Sequence, residues 1–341
     1  MAAEAFAYTA RYDTAIARWF AEGVEGFPTT FLRAYEKVTD LPYGENPHQR
    51  AAYYQQVGAR RHVLSQVQQH HGKEISYNNI LDLDTARAMV AELEEPACAI
   101  VKHNTPCGAA IGADAADAYR RAFVADPVSA FGGIVALNRP VDEAAAQALS
   151  EQFVEVLLAP GYAEGALEIL ARKPNVRILE NMERRGPAGD FRVTQVEGGL
   201  LVQDGDATLV PGEAMEVVTG RAPTEEEWAD LRFAWRVCRH VKSNAIVLAR
   251  EGATAGIGAG QMSRVDAVRL AVEKSPLESL QGAVLASDAF FPFPDGPALA
   301  IEAGVTAIVQ PGGSKRDDEV VAAADAAGVA MVFTGRRHFR H

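Results

Sequence analysis

Short apolar runs alternate with stretches of helical periodicity along most of the chain. Residues 99–101, 134–137 and 154–158 are unbroken apolar runs of strand length, the pattern of strands covered on both faces. Around and between them, residues 84–93, 115–123, 142–153 and 162–172 read as helices, with Asp84 as N-cap of the first. The pattern resumes with a helix over residues 224–240, where Thr224 is the N-cap and Glu225, Glu226 and Glu227 face the helix dipole. Strands over 245–249, 284–286, 307–309 and 330–333 follow. Alternation over 191–196, then Gly198-Gly199 and the apolar run 200–202, predicts hairpins, with a subdomain boundary near 195–220. The first 24 residues read as a helix with Phe6, Ala10, Ile16, Trp19 and Phe20 on one face, stopped by Gly23, Gly26 and Pro28. Alternating strands and helices predict a layered α/β protein.

The chemistry concentrates where these elements end. The run Ala99-Ile100-Val101 stops in Lys102 and His103, and small and turn residues lead to the helix expected at Ala115. A carboxyl strand end in an open α/β sheet is a ligand position. An ammonium beside an imidazole suits proton transfer and anion stabilisation. Residues 41–50 form a polar, proline-rich loop, and Gly132-Gly133 closes another. Gly256-x-Gly258-x-Gly260 is a poor dinucleotide fingerprint but reads as an anion-binding turn before a helix, with Arg264 adding charge. Residues 287–296 carry three phenylalanines suited to stacking on a heterocycle. Residues 310–316 offer backbone N–H groups to an anion, and the chain ends in a basic cluster.

With 33 Lys and Arg against 45 Asp and Glu, the net charge is −12. That excludes an extended nucleic-acid-binding surface but not a local anion site. The start carries no secretory signal pattern and no run has membrane-spanning length. Cys98, Cys107 and Cys238 form no metal-ligand spacing and read as reduced thiols, so a cytoplasmic location is expected.

Several ordered segments together carry a resemblance: Tyr43-Gly44-Glu45-Asn46-Pro47-His48-Gln49, Ser76-Tyr77-Asn78-Asn79, Lys102-His103, residues 126–133, Lys242-Ser243-Asn244, and residues 256–264, 287–293 and 311–314. From the Tyr43 loop to His341 the chain resembles the transformylase domain of the bifunctional purine-biosynthesis protein. That domain formylates aminoimidazole carboxamide ribonucleotide (AICAR) with 10-formyltetrahydrofolate as co-substrate. The resemblance implies an α/β fold of two cytidine-deaminase-like subdomains, each a mixed sheet between helix layers, over residues 31–205 and 206–341. Residues 1–30 resemble a connector, and the cyclohydrolase domain has no counterpart, so ring closure is expected to be absent. A separate inosinate cyclohydrolase is then a conceivable partner. No zinc site is implied: Pro106-Cys107 lacks the second cysteine of a deaminase motif.

The resemblance also assigns roles. The position matching His103 relays the proton, that matching Lys102 supports charge on the formyl oxygen and the departing nitrogen, and Asn244 lies on the carboxamide or proton path. Tyr43, Gly132, Glu155, Arg264, Phe290 and Arg337 would meet AICAR. Phe291, Phe293, Asp295 and Ser314 would lie towards the folate. The implied site spans a homodimer interface, with Lys102 and His103 from one protomer and Asn244, Arg264, Phe290 and Arg337 from its partner. Pro42 departs from the family, which usually has Arg there. Val241 and Ala245 match poorly the oxygen ligands of a monovalent cation seen in part of the family, which leaves that cation open. A non-catalytic nucleotide-binding protein of this fold, a deaminase-like hydrolase and another formyl donor stay open as well.

Overall fold

The computed structural model describes residues 1–21, 26–58, 67–181, 191–206, 215–276 and 280–341. The helix stop expected at Gly23 and part of the boundary expected near 195–220 lie outside them. The described residues form two compact units, Met1–Gln68 with Glu74–Ile80, and Gln69–Lys73 with Leu81–His341.

In the first unit, helix α1 (Ala2–Ala21) buries no residue. Its apolar side chains Phe6, Trp19 and Phe20 are 77, 66 and 71% exposed. The antiparallel hairpin β1 (Tyr35–Leu41) and β2 (Ala51–Gln56) follows. The polar loop over 42–50 is the hairpin's connection and braces itself: Gly44 N–H donates to the Gln49 carbonyl (2.7 Å), and Asn46 N–H to Gln49 Oε1 (2.8 Å). Ser76 Oγ accepts from Asn79 N–H (3.2 Å), and Asn79 Oδ1 accepts from Ser76 N–H (3.1 Å). This reciprocal box opens helix α2 (Tyr77–Val90), so the helix starts before Asp84, which is not its cap.

The second unit is built on one mixed sheet. Strand β3 (Gln68–His71) lies at one edge. Strands β4 (Ala97–Lys102) and β5 (Thr105–Ile111) form a hairpin, followed by helix α3 (Ala115–Val124) and the single turn α4 (Pro127–Ala130). Strand β6 (Gly133–Leu137), helix α5 (Glu143–Ser150), strand β7 (Val154–Ala159), helix α6 (Glu164–Leu170) and strand β8 (Arg177–Glu180) complete a first half. The predicted hairpin is present as β9 (Arg192–Val196) and β10 (Gly199–Gln203), outside the large sheet. A short strand β11 (Glu216–Val217) and helix α7 (Glu225–Cys238) lead into a second half. That half runs through β12 (Ile246–Arg250), β13 (Ala253–Gly258), α8 (Arg264–Glu273), β14 (Val284–Ser287), α9 (Asp295–Glu302), β15 (Ala307–Gln310), α10 (Asp317–Ala326) and β16 (Ala330–Phe333).

The strand order is β11-β16-β15-β14-β12-β13-β5-β4-β6-β7-β8-β3. Each half therefore repeats one scheme: an antiparallel hairpin, an antiparallel neighbour on its first strand, then two parallel pairings. The halves meet edge to edge where Ala253 pairs with Ala110. Alternate side chains Ile246, Leu248, Leu285, Ile308 and Met331 pack against α8, α9 and α10. Their neighbours Val247, Ala286 and Val309 are equally buried, and α7 packs against β12, β14 and β15. Burial on both faces explains why these strands read as unbroken apolar runs. Thr224 and Glu227 form a full capping box on α7.

Two glycines set helix-to-sheet spacing at matching points of the repeat. A Cβ on Gly108 would lie 2.1 Å from the Ala122 carbonyl of α3, and one on Gly256 would lie 2.1 Å from the Ala271 carbonyl of α8. Gly256 and Gly258 thus belong to strand β13 rather than to an anion-binding turn, which corrects the sequence reading. No helix of the described residues is long and apolar enough to cross a membrane.

Candidate active site

The Lys102–His103 pair sits in a hairpin turn, not at a strand-to-helix crossing. Lys102 pairs with Thr105, and His103 and Asn104 between them have φ of +52° and +58°. Two positive φ values define the two-residue turn that matches strand twist. Glycine usually fills such positions, and side chains there cost about 1–2 kcal/mol each. Pro106 did not signal a strand because it lies beside a bulge, where its missing N–H breaks no ladder bond.

Helix α2 holds the turn from one side. Asn104 N–H donates to Asp82 Oδ1 (2.5 Å), and Thr85 Oγ1, one helical turn on, donates to Asn104 Oδ1 (2.5 Å). Burial is the strongest influence on Asp82 and raises its pKa, against the amides of Asn104 and His103 and the Lys102 and His103 charges. Lys102 Nζ donates to the Gly132 carbonyl (2.8 Å) and the Phe131 carbonyl (3.3 Å). Gly132 has φ +67°, and a Cβ there would crowd the Phe153 ring at 3.1 Å. The ammonium is therefore aimed by backbone, while His103 stays exposed at the turn.

Beside this pair lies a cleft of about 190 Å³ at the seam between the halves, lined by Lys102, His103, Cys107, Asp126, Ser129 and Lys274, among others. Ser129 Oγ donates to Asp126 Oδ2 (2.6 Å), and Lys274 Nζ donates to the same oxygen (3.1 Å). Burial pulls the Asp126 carboxyl upward, but the Ser129 and Lys274 contacts outweigh it and hold it below its ordinary value. Burial pushes the Cys107 thiol up to about 12, so it is protonated at neutral pH and packs with Sγ against the Ile100 carbonyl. Glu155, on β7, pairs with Arg177 at 3.6 Å.

A second cluster forms where the parallel strands of the second half end. Arg264, first residue of α8, donates to Asp288 Oδ1 (2.5 Å), Ser287 Oγ (2.8 Å) and Asn244 Oδ1 (2.7 Å). Asn244 Nδ2 donates to the Gln261 and Met262 carbonyls. Ser243 Oγ donates to Asp288 Oδ2 (2.5 Å). Asn244 and Arg264 are thus in direct contact, but Arg264 is buried and its charge is already met by Asp288, itself fully buried. Phe290 is partly exposed beside this cluster in sequence, and Arg337 is exposed with its guanidinium 4.5 Å over the Phe339 ring.

The folate-side expectations divide. Phe291 is a core residue, 1% exposed, so its ring is not a stacking surface. Phe293 is exposed, with Arg316 over its face at 4.9 Å. Asp295 Oδ1 accepts from Gly296 N–H. The N–H groups of Gly313 and Ser314, expected to hold an anion, both donate to Asp317 Oδ2 (2.7 and 3.1 Å), so the chain's own carboxylate occupies that nest. Tyr43 lies in the first unit, 38% exposed. The Ala245 carbonyl accepts from Asp288 N–H (3.2 Å). Among the described residues no group of three His, Cys, Asp or Glu side chains is placed to hold a metal.

Within the described chain no direct hydrogen bond or ion pair joins Lys102 or His103 to Asn244, Arg264, Phe290 or Arg337. Asp82, Thr85, Ser243 and Asp288 carry the geometry of the two clusters; Ser243 and Asp288 lay within the quoted motifs but were given no role, and Asp82 and Thr85 lay outside them. The available signal was an internal repeat. Asp82 stands twenty residues before Lys102, and Asp230 twenty residues before Arg250. Asp230 accepts from Glu251 N–H (2.7 Å) and Gly252 N–H (2.6 Å), in a turn with the same positive φ values.

A family model described as AICARFT/IMPCHase bienzyme matches residues 1–274. The chain belongs to the AICARFT/IMPCHase bienzyme family. That membership gives it a formyltransferase-related role in purine biosynthesis. The matched range of the AICARFT/IMPCHase family includes Lys102, His103, residues 126–133, Asn244 and Arg264, and ends before Phe290, Phe293, Asp295, Ser314 and Arg337.

Proposed function

We propose that the chain transfers the formyl group of 10-formyltetrahydrofolate to the 5-amino group of AICAR, giving formyl-AICAR and tetrahydrofolate. The observation that carries this reading is the Lys102–His103 turn. An ammonium aimed by the Gly132 carbonyl and an exposed imidazole on a braced turn stand together in a member of this family. The substrate amine is a weak nucleophile because its lone pair is delocalised into the ring and carboxamide. His103 accepts its proton as the amine attacks the formyl carbon and returns a proton to the leaving folate nitrogen. Lys102 stabilises the oxygen that becomes negative in the tetrahedral intermediate. Such acid–base catalysis contributes about 10²–10⁴-fold, and holding both substrates supplies of order 7–11 kcal/mol more.

Asn244, oriented by Arg264, serves the carboxamide side, with Phe290 as the stacking ring. Because Arg264 is committed to Asp288, the exposed Arg337 is the better phosphate partner. Phe293, Asp295 and Ser314 remain the folate-side residues. We read the protein as a homodimer in which one protomer's Lys102 and His103 face the other's second cluster. The lack of a direct bond between the two clusters in one protomer and the exposed apolar face of α1 support this. Full activity from a monomer at high dilution would remove the dimer from the reading. We also read the two halves as cytidine-deaminase-like subdomains, on the strength of their repeated strand order.

The deciding experiment is formyl transfer to AICAR, followed by tetrahydrofolate release, with His103→Ala alongside. The variant is expected to lose about 10²-fold or more in kcat with a small change in KM. A near-normal kcat would refute the role of His103, and an inactive wild type that still binds AICAR would leave a binding protein.

A further inference from the structure

The last residues of the chain reach both clusters. Arg340 is tied to the second by a two-way backbone link: its N–H donates to Ser243 Oγ (3.0 Å), and its carbonyl accepts from Ser243 N–H (2.9 Å). Its guanidinium turns to the first. Nη2 donates to Thr85 Oγ1 (2.6 Å), Thr85 passes its own hydroxyl proton towards Asn104 Oδ1 (2.5 Å), and Asn104 adjoins His103. Nη1 lies 3.4 Å from His240 Nδ1, and His240 Nε2 in turn meets Glu92 at 3.1 Å. Both donors in the series, Arg340 and Thr85, point towards the turn, where Asn104 Oδ1 accepts, and a charge at its head polarises the bond beyond it.

The internal repeat supplies a comparison. The matching turn at Glu251–Gly252 is held by Asp230, as Asp82 holds Asn104, and Arg121 donates to the Glu251 carbonyl. Three residues after Asp230 stands Phe233, where Thr85 follows Asp82. Among the described residues, the relay therefore stands in the half that bears Lys102 and His103 and has no counterpart at the Glu251–Gly252 turn. A contact that merely tied down the chain end would need no hydroxyl aimed at this turn.

We propose that Arg340 is a positioning residue, which, anchored on Ser243, fixes the His103 turn through Thr85 and Asn104. The proposal rests on the formyl-transfer reading for its kinetic consequence, but its structural arm stands apart. Thr85→Val keeps shape and removes the hydroxyl, and Arg340→Met keeps length and removes the guanidinium. Each is expected to lower kcat for formyl transfer about tenfold, the scale of one charge-assisted hydrogen bond, with KM for AICAR within about twofold. Thr85→Ser should restore the wild-type rate, and the double variant should be no slower than either single one. Hydrogen exchange on the whole protein should show the Asn104 amide exchanging about tenfold faster in both variants, with Gly252 unchanged. Additive losses, equal behaviour of Ser and Val at position 85, or equal acceleration at Gly252 would overturn the relay. If the wild type shows no formyl transfer, the function reading fails on its own and the exchange comparison still decides the role of Arg340.

Discussion

Replacing Asp82 by Ala separates the shape of the Lys102–His103 turn from the mere presence of His103. His103 and Asn104 are both held at positive φ, a cost of about 1–2 kcal/mol for each. The bond from Asn104 N–H to Asp82 Oδ1 at 2.5 Å offsets it. A hydrogen bond to a carboxylate contributes roughly 1.5–3 kcal/mol. Burial raises the Asp82 pKa, so desolvation takes back part of that gain and the lower half of the range applies. Losing about 1.5–2 kcal/mol leaves the native turn outcompeted by relaxed conformers roughly 10- to 30-fold, since 1.4 kcal/mol is a factor of ten. The expected result is a kcat for formyl transfer reduced by about that factor, with KM for AICAR little changed. Asp230→Ala is the control. It removes the matching acceptor from the Glu251–Gly252 turn, where no site residue stands. Urea titrations of both variants should show similar stability losses, while steady-state assays show the rate falling only in Asp82→Ala. A kcat within twofold of wild type for Asp82→Ala, or equal rate losses in the two variants, would refute the reasoning.

Arg264→Met should cost about 3–5 kcal/mol, because it leaves the fully buried Asp288 carboxylate unpaired; the urea midpoint measures this, and adding Asp288→Asn should recover much of it. Gly256→Ala should destabilise by about 1–3 kcal/mol through overpacking against the Ala271 carbonyl, seen as a lower midpoint with an unchanged slope. His240 gives the pH dependence. Burial, its largest influence, lowers its pKa against the opposing pull of Glu92. The imidazole is thus held neutral in the fold while the unfolded chain protonates near 6.5. Its stabilising effect is full above that pH and is lost as pH falls through the lower folded value. Midpoints between pH 7.5 and 5 should fall less steeply in His240→Gln than in the wild type.

Local signals settled much of the chain. Asp114, Asp142 and Thr224 cap their helices through their own side chains, a bond made within four residues. The apolar runs became strands buried on both faces, because a parallel strand between helix layers has no polar side to show. Lys102, His103 and Asn244 could be named because a family motif is itself a run of neighbours. Long-range contacts decided the rest. Strand β5 was hidden by Pro106 and Gly108, which are tolerated only because a bulge and the close approach of α3 surround them. The Gly256 and Gly313 segments both looked like anion cradles. One packs under a helix and the other is filled by Asp317. Arg264 looked like a phosphate ligand until the fold set it against Asp288, 24 residues away. The sequence by itself determined most of the buried strands and capped helices and which residues were candidates for the chemistry, since capping and hydrophobic period act over a few residues. Only the tertiary structure decided which charges are already paired and how the Lys102–His103 turn is held, since those partners meet across 22 residues for Asp82 and Asn104 and 255 for Thr85 and Arg340.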